Sequence, residues 1–450
     1  AEIGSELITN GDFSAVPLGS ELLPEGASPM TGSWGTNGEI VDGKLKKTAS
    51  GIAYRSIGET NGKLYKVIVD VASLDGATNF WLAGTNSANL VVGINTISIF
   101  AGSTSGFGAA INNGFSSGEG SVINSISVKE QINLITNPNF SATGSELITN
   151  GDFATDTDWT KGTGWTISGG AANCDGTQIS GTSLYQSAIQ QNKSYLISFE
   201  ITARTAGGVG VQDSTKYTAI GTYTYYYTLT SADTNLYINA DVDFIGSIDN
   251  VSVKELGEDW LEIDLDPDSV SFGENGLTIV QSSDGEAANR AYQTSVTEAD
   301  KSYKVTYTIH SAQYTSTNRV QYYNGAGYID LPEQGVGTHT FYYTRKGTND
   351  NWFFNLYTSV TSATDFVTIS SIVVQELGEG WTLEPGWSIG EDKAIVDNVG
   401  TTGLTQSSLS VVDGKSYKIS FEVSNIVGGS ELQIEFSAGN IVGNVTTNGE

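Results

Sequence analysis

Four segments of the chain alternate apolar and polar residues with a period of two, the spacing at which successive side chains fall on opposite faces of a strand. They begin Lys63-Leu64-Tyr65-Lys66-Val67, Lys193-Ser194-Tyr195-Leu196-Ile197, Lys301-Ser302-Tyr303-Lys304-Val305 and Lys415-Ser416-Tyr417-Lys418-Ile419. In the third, Tyr303, Val305, Tyr307 and Ile309 share one face, and Lys304, Thr306, Thr308 and His310 share the other. The fourth sets Tyr417, Ile419, Phe421 and Val423 against Lys418, Ser420 and Glu422. Each predicts a half-buried antiparallel strand with one wet face. A second shared strand follows a glycine, in Gly93-Ile94-Asn95-Thr96, Gly221-Thr222-Tyr223-Thr224 and Gly337-Thr338-His339-Thr340, and leads into runs such as Phe341-Tyr342-Tyr343.

These strands belong to a repeat. Gly4-Ser5-Glu6-Leu7-Ile8-Thr9-Asn10-Gly11-Asp12-Phe13 recurs unchanged at Gly144–Phe153, and a partial copy, Leu134-Ile135-Thr136-Asn137-Pro138-Asn139-Phe140, precedes the second. The far ends repeat too: Ser125-Ile126-Ser127-Val128-Lys129-Glu130, Asn250-Val251-Ser252-Val253-Lys254-Glu255 and Ser371-Ile372-Val373-Val374-Gln375-Glu376. Gly257-Glu258 and Gly378-Glu379 open the units that follow. The expected organisation is repeat 1 over 1–131, repeat 2 over 132–256 with a short duplicated linker at 132–143, repeat 3 over 257–377, and an incomplete repeat 4 over 378–450. A period of roughly 110–130 residues with many short strands indicates tandem all-β antiparallel sandwiches of jelly-roll type, strung like beads; propeller blades run only about 40–50 residues.

Composition agrees. The 54 glycines and the abundance of Ser, Thr, Asn and Tyr suit short strands joined by turns. The formal charge of −29 argues against nucleic acid, because phosphate binding needs clustered Lys and Arg. The acids are scattered, which reads as a solvated, self-repelling surface, with a calcium-dependent surface as the sharper alternative. Cys174 is the single cysteine, so no intramolecular disulfide is available. No apolar run approaches the ~20 residues of a membrane span. Met30 is the single methionine, so the sequence does not start at an initiator and is expected to be a piece of something longer.

The opening Glu-Leu-Ile-Thr-Asn-Gly-Asp-Phe, the Trp-rich stretch after it, the Lys-Ser-Tyr strand and the closing Ile248-Asp249-Asn250-Val251-Ser252-Val253 resemble jelly-roll carbohydrate-binding modules found beside xylanases and glucanases. Residues 144–256 carry the resemblance best. Near-identical tandem copies also resemble repeats of virion-surface and tail-fibre proteins of marine bacteriophages. The resemblance implies a structural calcium joining the first strand to the last, with Asp152 and Asp249 as its ligands here. Calcium takes six to eight oxygens. Relatives usually carry Glu just after the motif, where this chain has Ser14 and Ala154, and Asp249 aligns with Asn124 and Ser370. The alternative is that Asp12 and Asp152 bond to nearby backbone in turns.

Saccharides are held by flat aromatic faces and a few polar groups. The candidates for glycan contact are Trp159, Trp81, Trp352, Tyr226 and Tyr322, whereas Trp34, Trp165 and Trp387 read as core residues of early strands. Little supports catalysis. His310 and His339 are the two histidines, neither in a metal-ligand spacing, and His310 lies on a wet strand face. Among 50 acidic residues a glycosidase-like carboxylate pair stays open, but the acids of the shared motifs lie at turns and unit ends. Gly207-Gly208-Val209-Gly210 lacks the lysine and strand-to-helix context of a phosphate loop. The leading expectation is therefore a non-enzymatic extracellular or virion-surface fibre that contacts glycans or cell-surface polysaccharide, with homo-oligomeric assembly and no membrane insertion. The alternatives are a structural spacer or decoration protein, and a binding appendage of a secreted polysaccharide-degrading enzyme.

Overall fold

The computed structural model describes residues 18–23, 34–35, 37–49, 52–102, 109–113, 120–263, 269–280, 289–314, 319–347, 352–357, 365–397, 400–407, 409, 412, 415–427, 431–435 and 441–449. Two compact units are distinguished, with described residues in 18–405 and in 406–449. The described residues form strands, turns and irregular segments, without a helix.

The first unit contains three sandwiches, each of two antiparallel sheets. In the first sandwich, one sheet runs Gly38–Val41, Lys44–Lys47, Val122–Gln131, Leu64–Ser73, Gly93–Phe100, and the other Ile52–Arg55, Ala109–Asn113, Thr78–Leu82, Thr85–Asn89. In the second, the sheets are Trp165–Ile167, Ala172–Asp175, Ile245–Leu256, Ser194–Ala206, Gly221–Thr228 and Thr160–Lys161, Thr182–Ser187, Asn235–Ala240, Val209–Val211. In the third they are Val270–Gly273, Gly276–Val280, Phe366–Glu376, Ser302–Gln313, Gly337–Thr344 and Leu261–Ile263, Arg290–Gln293, Trp352–Tyr357, Arg319–Tyr323, Tyr328–Asp330. The alternation in the sequence places the core: Tyr195, Ile197, Phe199 and Ile201 are buried against the opposite sheet, as are Tyr303, Val305, Tyr307 and Ile309. Burial of this kind supplies roughly 25 cal/mol per Å² of apolar surface removed from water.

The tyrosine of each Lys-x-Tyr strand also locks the turn before it. Its hydroxyl accepts a backbone N–H five residues upstream: Thr60 to Tyr65 at 2.8 Å, Gln190 to Tyr195 at 2.7 Å, Glu298 to Tyr303 at 2.7 Å and, in the second unit, Val412 to Tyr417 at 2.7 Å. That unit otherwise departs from expectation. Lys415–Phe421 is not in a strand, and Tyr417 and Ile419 stay 38% and 40% exposed, because no facing sheet among the unit's described residues buries them. Its described strands are the hairpin Leu432–Glu435 with Ile441–Val445. The expected fourth repeat is thus divided, since Thr382–Leu383 with Leu404–Thr405 and Trp387–Gly390 with Lys393–Val396 belong to the first unit.

A second correction concerns the segment read as a linker. In the second sandwich, Glu146 accepts backbone N–H groups from Ile148 (3.0 Å) and from Val253 on the last strand (2.8 Å), and Leu147 donates to Val253 O at 2.9 Å. Val251 N donates to Gly151 O, Trp159 Nε1 donates to Asn150 O at 3.0 Å, and Gln186 brackets Thr149 with two bonds. The same set recurs in the third sandwich, but with residues from before the second. Asn133 Oδ1 accepts from Val374 N at 2.8 Å, Leu134 N donates to Val374 O at 2.8 Å, and Ile372 N donates to Pro138 O at 2.8 Å. Trp260 Nε1 donates to Asn137 O at 3.1 Å, and Gln293 brackets Thr136. Ile135 and Phe140 belong to the core of the third sandwich, where Phe140 meets Trp260 and Phe272 at 5.1 and 6.1 Å.

The stretch 133–140 is therefore the closing segment of the third sandwich, and the second sandwich is inserted between that segment and the rest. Thr143 pairs with Leu256, so the insert enters and leaves at one place. In the first sandwich Glu21 does the same work, accepting from Leu23 N at 3.0 Å and Val128 N at 2.7 Å. Motif and last strand lie far apart in sequence, so proximity in the chain is a poor guide to which sandwich a motif closes.

The second and third sandwiches join without a linker. Leu256 runs into Gly257, whose φ of +76° and closeness to the Phe272 ring leave no room for a side chain. Phe272 N then donates to Ser194 Oγ at 2.9 Å. The joint repeats downstream, where Gly378 has φ +86° and Ile389 N donates to Ser302 Oγ at 2.9 Å.

Phe140→Ala is expected to destabilise the third sandwich by about 3–5 kcal/mol, the usual cost of emptying a buried aromatic site. Hydrogen exchange should show faster exchange in 290–376 and unchanged protection in Ser194–Ala206. The locking tyrosines add a pH dependence. Burial above all pushes the Tyr195 and Tyr303 phenols up to about 12, partly offset by the backbone bonds. The neutral form is thus favoured in the fold, so their contribution is complete below pH 10 and is lost as pH rises from 10 to about 12. Phenolate absorbance and unfolding midpoints followed across that window should fall into step.

Candidate functional site

In each sandwich the second sheet turns one face outward, and strand register decides which side chains stand abreast there. In the second sandwich Tyr185 pairs with Tyr237, their rings 5.2 Å apart and inclined by 40°. Gln212, which donates its backbone N–H to Tyr237 O at 2.9 Å, extends the row. Two residues along lies a second row, Ser183, Asn239 and Gly210. The third sandwich has the same register: Tyr292 pairs with position 353, and two residues along Arg290 pairs with position 355, which pairs in turn with Gln321. In the first sandwich the rows are Tyr54, Ala110, Trp81 and Ile52, Asn112, Asn79. A tyrosine (Tyr54, Tyr185, Tyr292) and a central asparagine (Asn112, Asn239, Asn355) thus recur at one register position in all three.

The second sandwich shows how such a face is held. Ser183 Oγ donates to Asn239 Oδ1 at 2.7 Å, and Asn239 Nδ2 donates to Gln212 O at 2.7 Å, so the amide is oriented in advance. Tyr237 OH donates to Asp233 Oδ2 at 2.8 Å, and Asn235 Nδ2 donates to Asp233 Oδ1 at 2.7 Å. The Tyr237 bond, then the Asn235 backbone bond, hold the exposed Asp233 carboxyl below its ordinary range, while the same bond pushes the Tyr237 phenol up. Beside the row a shallow depression of about 220 Å³ is lined by Gln212, Asp213, Tyr227, Asp233, Asn235 and Tyr237 among its walls. Tyr225 OH donates to Asp213 at 2.9 Å, and burial first, then this bond, push that phenol up to about 12. Half-exposed rings beside fixed amide and carboxylate groups can stack on a C–H-rich ring face and bond its hydroxyls.

Most of the aromatic residues singled out from sequence lie elsewhere. Trp159 is buried, packs on Phe153 at 5.4 Å and closes the first-strand motif, so its faces are covered. Trp352 and Tyr322 are buried in the core of the third sandwich, and the outward position beside Tyr322 falls to Tyr323. Tyr226 is exposed, but it belongs to the joint: the strand Gly221–Thr228 contacts Val270–Gly273 of the next sandwich, and Glu274 helps raise the Tyr226 phenol after burial. Trp81 does occupy the outward row, although it is only 8% exposed. Trp34 and Trp165 are core residues as expected, and Trp387 is half-buried.

Sequence reasoning passed over Tyr54, Tyr185, Tyr237 and Tyr292. The available signal was the recurrence of Ala53-Tyr54-Arg55, Leu184-Tyr185-Gln186 and Ala291-Tyr292-Gln293, an outward tyrosine between inward neighbours. Asp152 Oδ1 accepts from Ala154 N at 3.3 Å, and Asp249 Oδ1 from Asn250 N at 2.7 Å. Among the described residues no group of three or more His, Cys, Asp or Glu is placed to hold a metal ion. His339 Nε2 lies 2.8 Å from Gly335 O, and His310 is exposed.

No protein-family model matches the sequence, and no curated protein matches it. Among solved structures the chain is similar to the N-terminal CBM22 tandem domain of Xyn10C from Paenibacillus barcinonensis, with 10% identity and a TM-score of 0.22 over 52% of this chain and 99% of that one. It is also similar to tandem CBM51 modules of a family 98 glycoside hydrolase from Streptococcus pneumoniae, with 8% identity and a TM-score of 0.17 over 53% and 97%. A triple jelly-roll turret protein of an archaeal virus matches with 12% identity and a TM-score of 0.14 over 80% and 90%. The fold assignment itself rests on this chain's own sheets.

Tyr237→Phe removes the first cause of the depressed Asp233 carboxyl. Its pKa is expected to rise toward the ordinary Asp value, read as a carboxyl carbon titration by NMR, with the sheet otherwise unperturbed.

Proposed function

We propose that this chain is a non-catalytic, extracellular glycan-binding array in which each sandwich offers the outer face of its second sheet to saccharide. The observation that supports this reading is the recurrence, in three sandwiches of differing sequence, of an outward tyrosine beside a central asparagine: Tyr54 with Asn112, Tyr185 with Asn239, Tyr292 with Asn355. Several weak sites on one chain gain avidity when they engage together, which suits a fibre or virion-surface setting and contact with polysaccharide at a cell surface. A binding appendage of a secreted polysaccharide-degrading enzyme would use the same faces.

A second reading, a structural spacer or decoration protein, draws support from the direct hydrogen bonds at Ser194 and Ser302, which tie one segment to the next without a linker. A glycan array probed with the full chain, in calcium and in chelator, separates the two. The expected outcome is saccharide binding that falls about tenfold or more, at least 1.4 kcal/mol, in Tyr185→Ala with Tyr292→Ala, both chains keeping the same thermal unfolding profile. Silence across the array in the unaltered chain would favour the spacer. Binding lost in chelator alone would bring calcium into the site.

A further inference from the structure

Resting on that reading, we propose that the third sandwich takes an anionic saccharide, one bearing carboxylate or sulfate groups, on the outer face that carries Arg290 and Arg319 beside Tyr292 and Tyr323. The chain has only five arginines against 50 acidic residues, and two of the five stand on this one face. Arg290 is directly abreast of Asn355, and Arg319 lies two residues from Gln321 on the neighbouring strand.

The register equivalents make the contrast plain. Ser183 occupies in the second sandwich the place of Arg290 in the third, since each pairs with the central asparagine. Gly208 occupies the place of Arg319, one residue before Val209 and Val320, which pair with Ala240 and Leu356. In the first sandwich Ile52 stands where Arg290 does. The outward tyrosine is therefore shared, while the arginine pair belongs to the third sandwich; the second has a lysine, Lys216, over Gly208 and Gly210, with Asp241 beside it.

Other groups on the face suit this division. Arg290 Nη1 donates to the hydroxyl of Tyr328, a ring that is 42% exposed, so the guanidinium lies over the sheet. Asp330, a carboxylate on the strand beside Gln321, is engaged by Gln321 Nε2 at 2.7 Å. A guanidinium presents a planar fork that matches carboxylate and sulfate oxygens in pairs, which a point charge does not. A chain of net charge −29 repels polyanions at long range, so a polyanion that does bind must be captured by a local device of this kind.

Affinity electrophoresis of the full chain through dextran, dextran sulfate and alginate tests the proposal. Sulfate and carboxylate sources are told apart by which polyanion retards the chain. Retardation by at least one polyanion is expected, weakened about tenfold in Arg290→Gln with Arg319→Gln and also in Tyr292→Ala. Ser183→Arg is expected to strengthen it by building the same feature into the second sandwich, and it keeps the test open should the double variant unfold. Two results would overturn the proposal while leaving glycan binding intact. One is Tyr185-dependent binding of a neutral glycan on the array with neither polyanion retained; the other is polyanion retention unchanged in the folded double variant. Failure of every saccharide, neutral or charged, would sink the glycan-binding reading itself and this proposal with it.

Discussion

One polar side chain reaching from an opening segment to the backbone of the last strand ties each sandwich together. Glu21 does this for Val128, Glu146 for Val253 and Asn133 for Val374. The bond satisfies a backbone donor where the ladder shifts register, a group that would otherwise be lost to water and to pairing alike. In the second and third sandwiches the motif that follows places a phenylalanine against a tryptophan, Phe153 on Trp159 and Phe140 on Trp260. Phe153 and Phe140 adopt φ of +48° and +59° to get there, a conformation that bulky residues avoid and that persists because burial over-determines it. Remove the anchor and the core below loses its cover.

The outward rows depend on the same closure at one remove. Gln186 and Gln293 follow Tyr185 and Tyr292 in the strand, and each spends its amide on the motif, on Thr149 or Thr136. The strand that presents the tyrosine is thereby clamped to the segment that closes the sandwich. A ring on a rigid sheet loses little entropy on meeting a ligand, which is the advantage of building a recognition face on strands rather than loops. The joints add a second level of order, because Ser194 accepts a backbone donor from the next sandwich and Ser302 one from the Trp387–Gly390 hairpin. Leu64 stands at the equivalent position in the first sandwich, whose last strand leads instead into the closing segment of the third.

What the sequence discloses follows from which interactions are local. Period-two alternation is local, so the central strands and their inward faces were legible down to individual residues such as Tyr303 and Val305. Partnership is not local. Nothing near Leu134–Phe140 says that its sheet lies beyond a whole intervening sandwich, and a duplicated motif beside an identical one reads naturally as a linker. Trp159 misleads because Asp158 and Thr160 flank it, and only the motif folding back over it makes it core. The pairing of Tyr185 with Tyr237 joins strands about 50 residues apart, so a row of rings exists only once register is known. In the Lys415 segment the alternation is as clear as elsewhere, yet no strand forms, which shows that pattern alone does not make a strand without a sheet to bury it.

The inserted second sandwich also sets a schedule. Asn133 and its partner Val374 are 241 residues apart. At a ribosomal pace of about 5–20 residues per second, the closing segment waits on the order of 12–50 s before the strand it serves has been made. During that interval the second sandwich can fold completely, and because Thr143 and Leu256 come together when it does, its folding brings the waiting segment to the place where the rest of the third sandwich will emerge. The insert acts as a jig for the domain that encloses it, so order of synthesis, and not affinity alone, steers the segment to its own sheet.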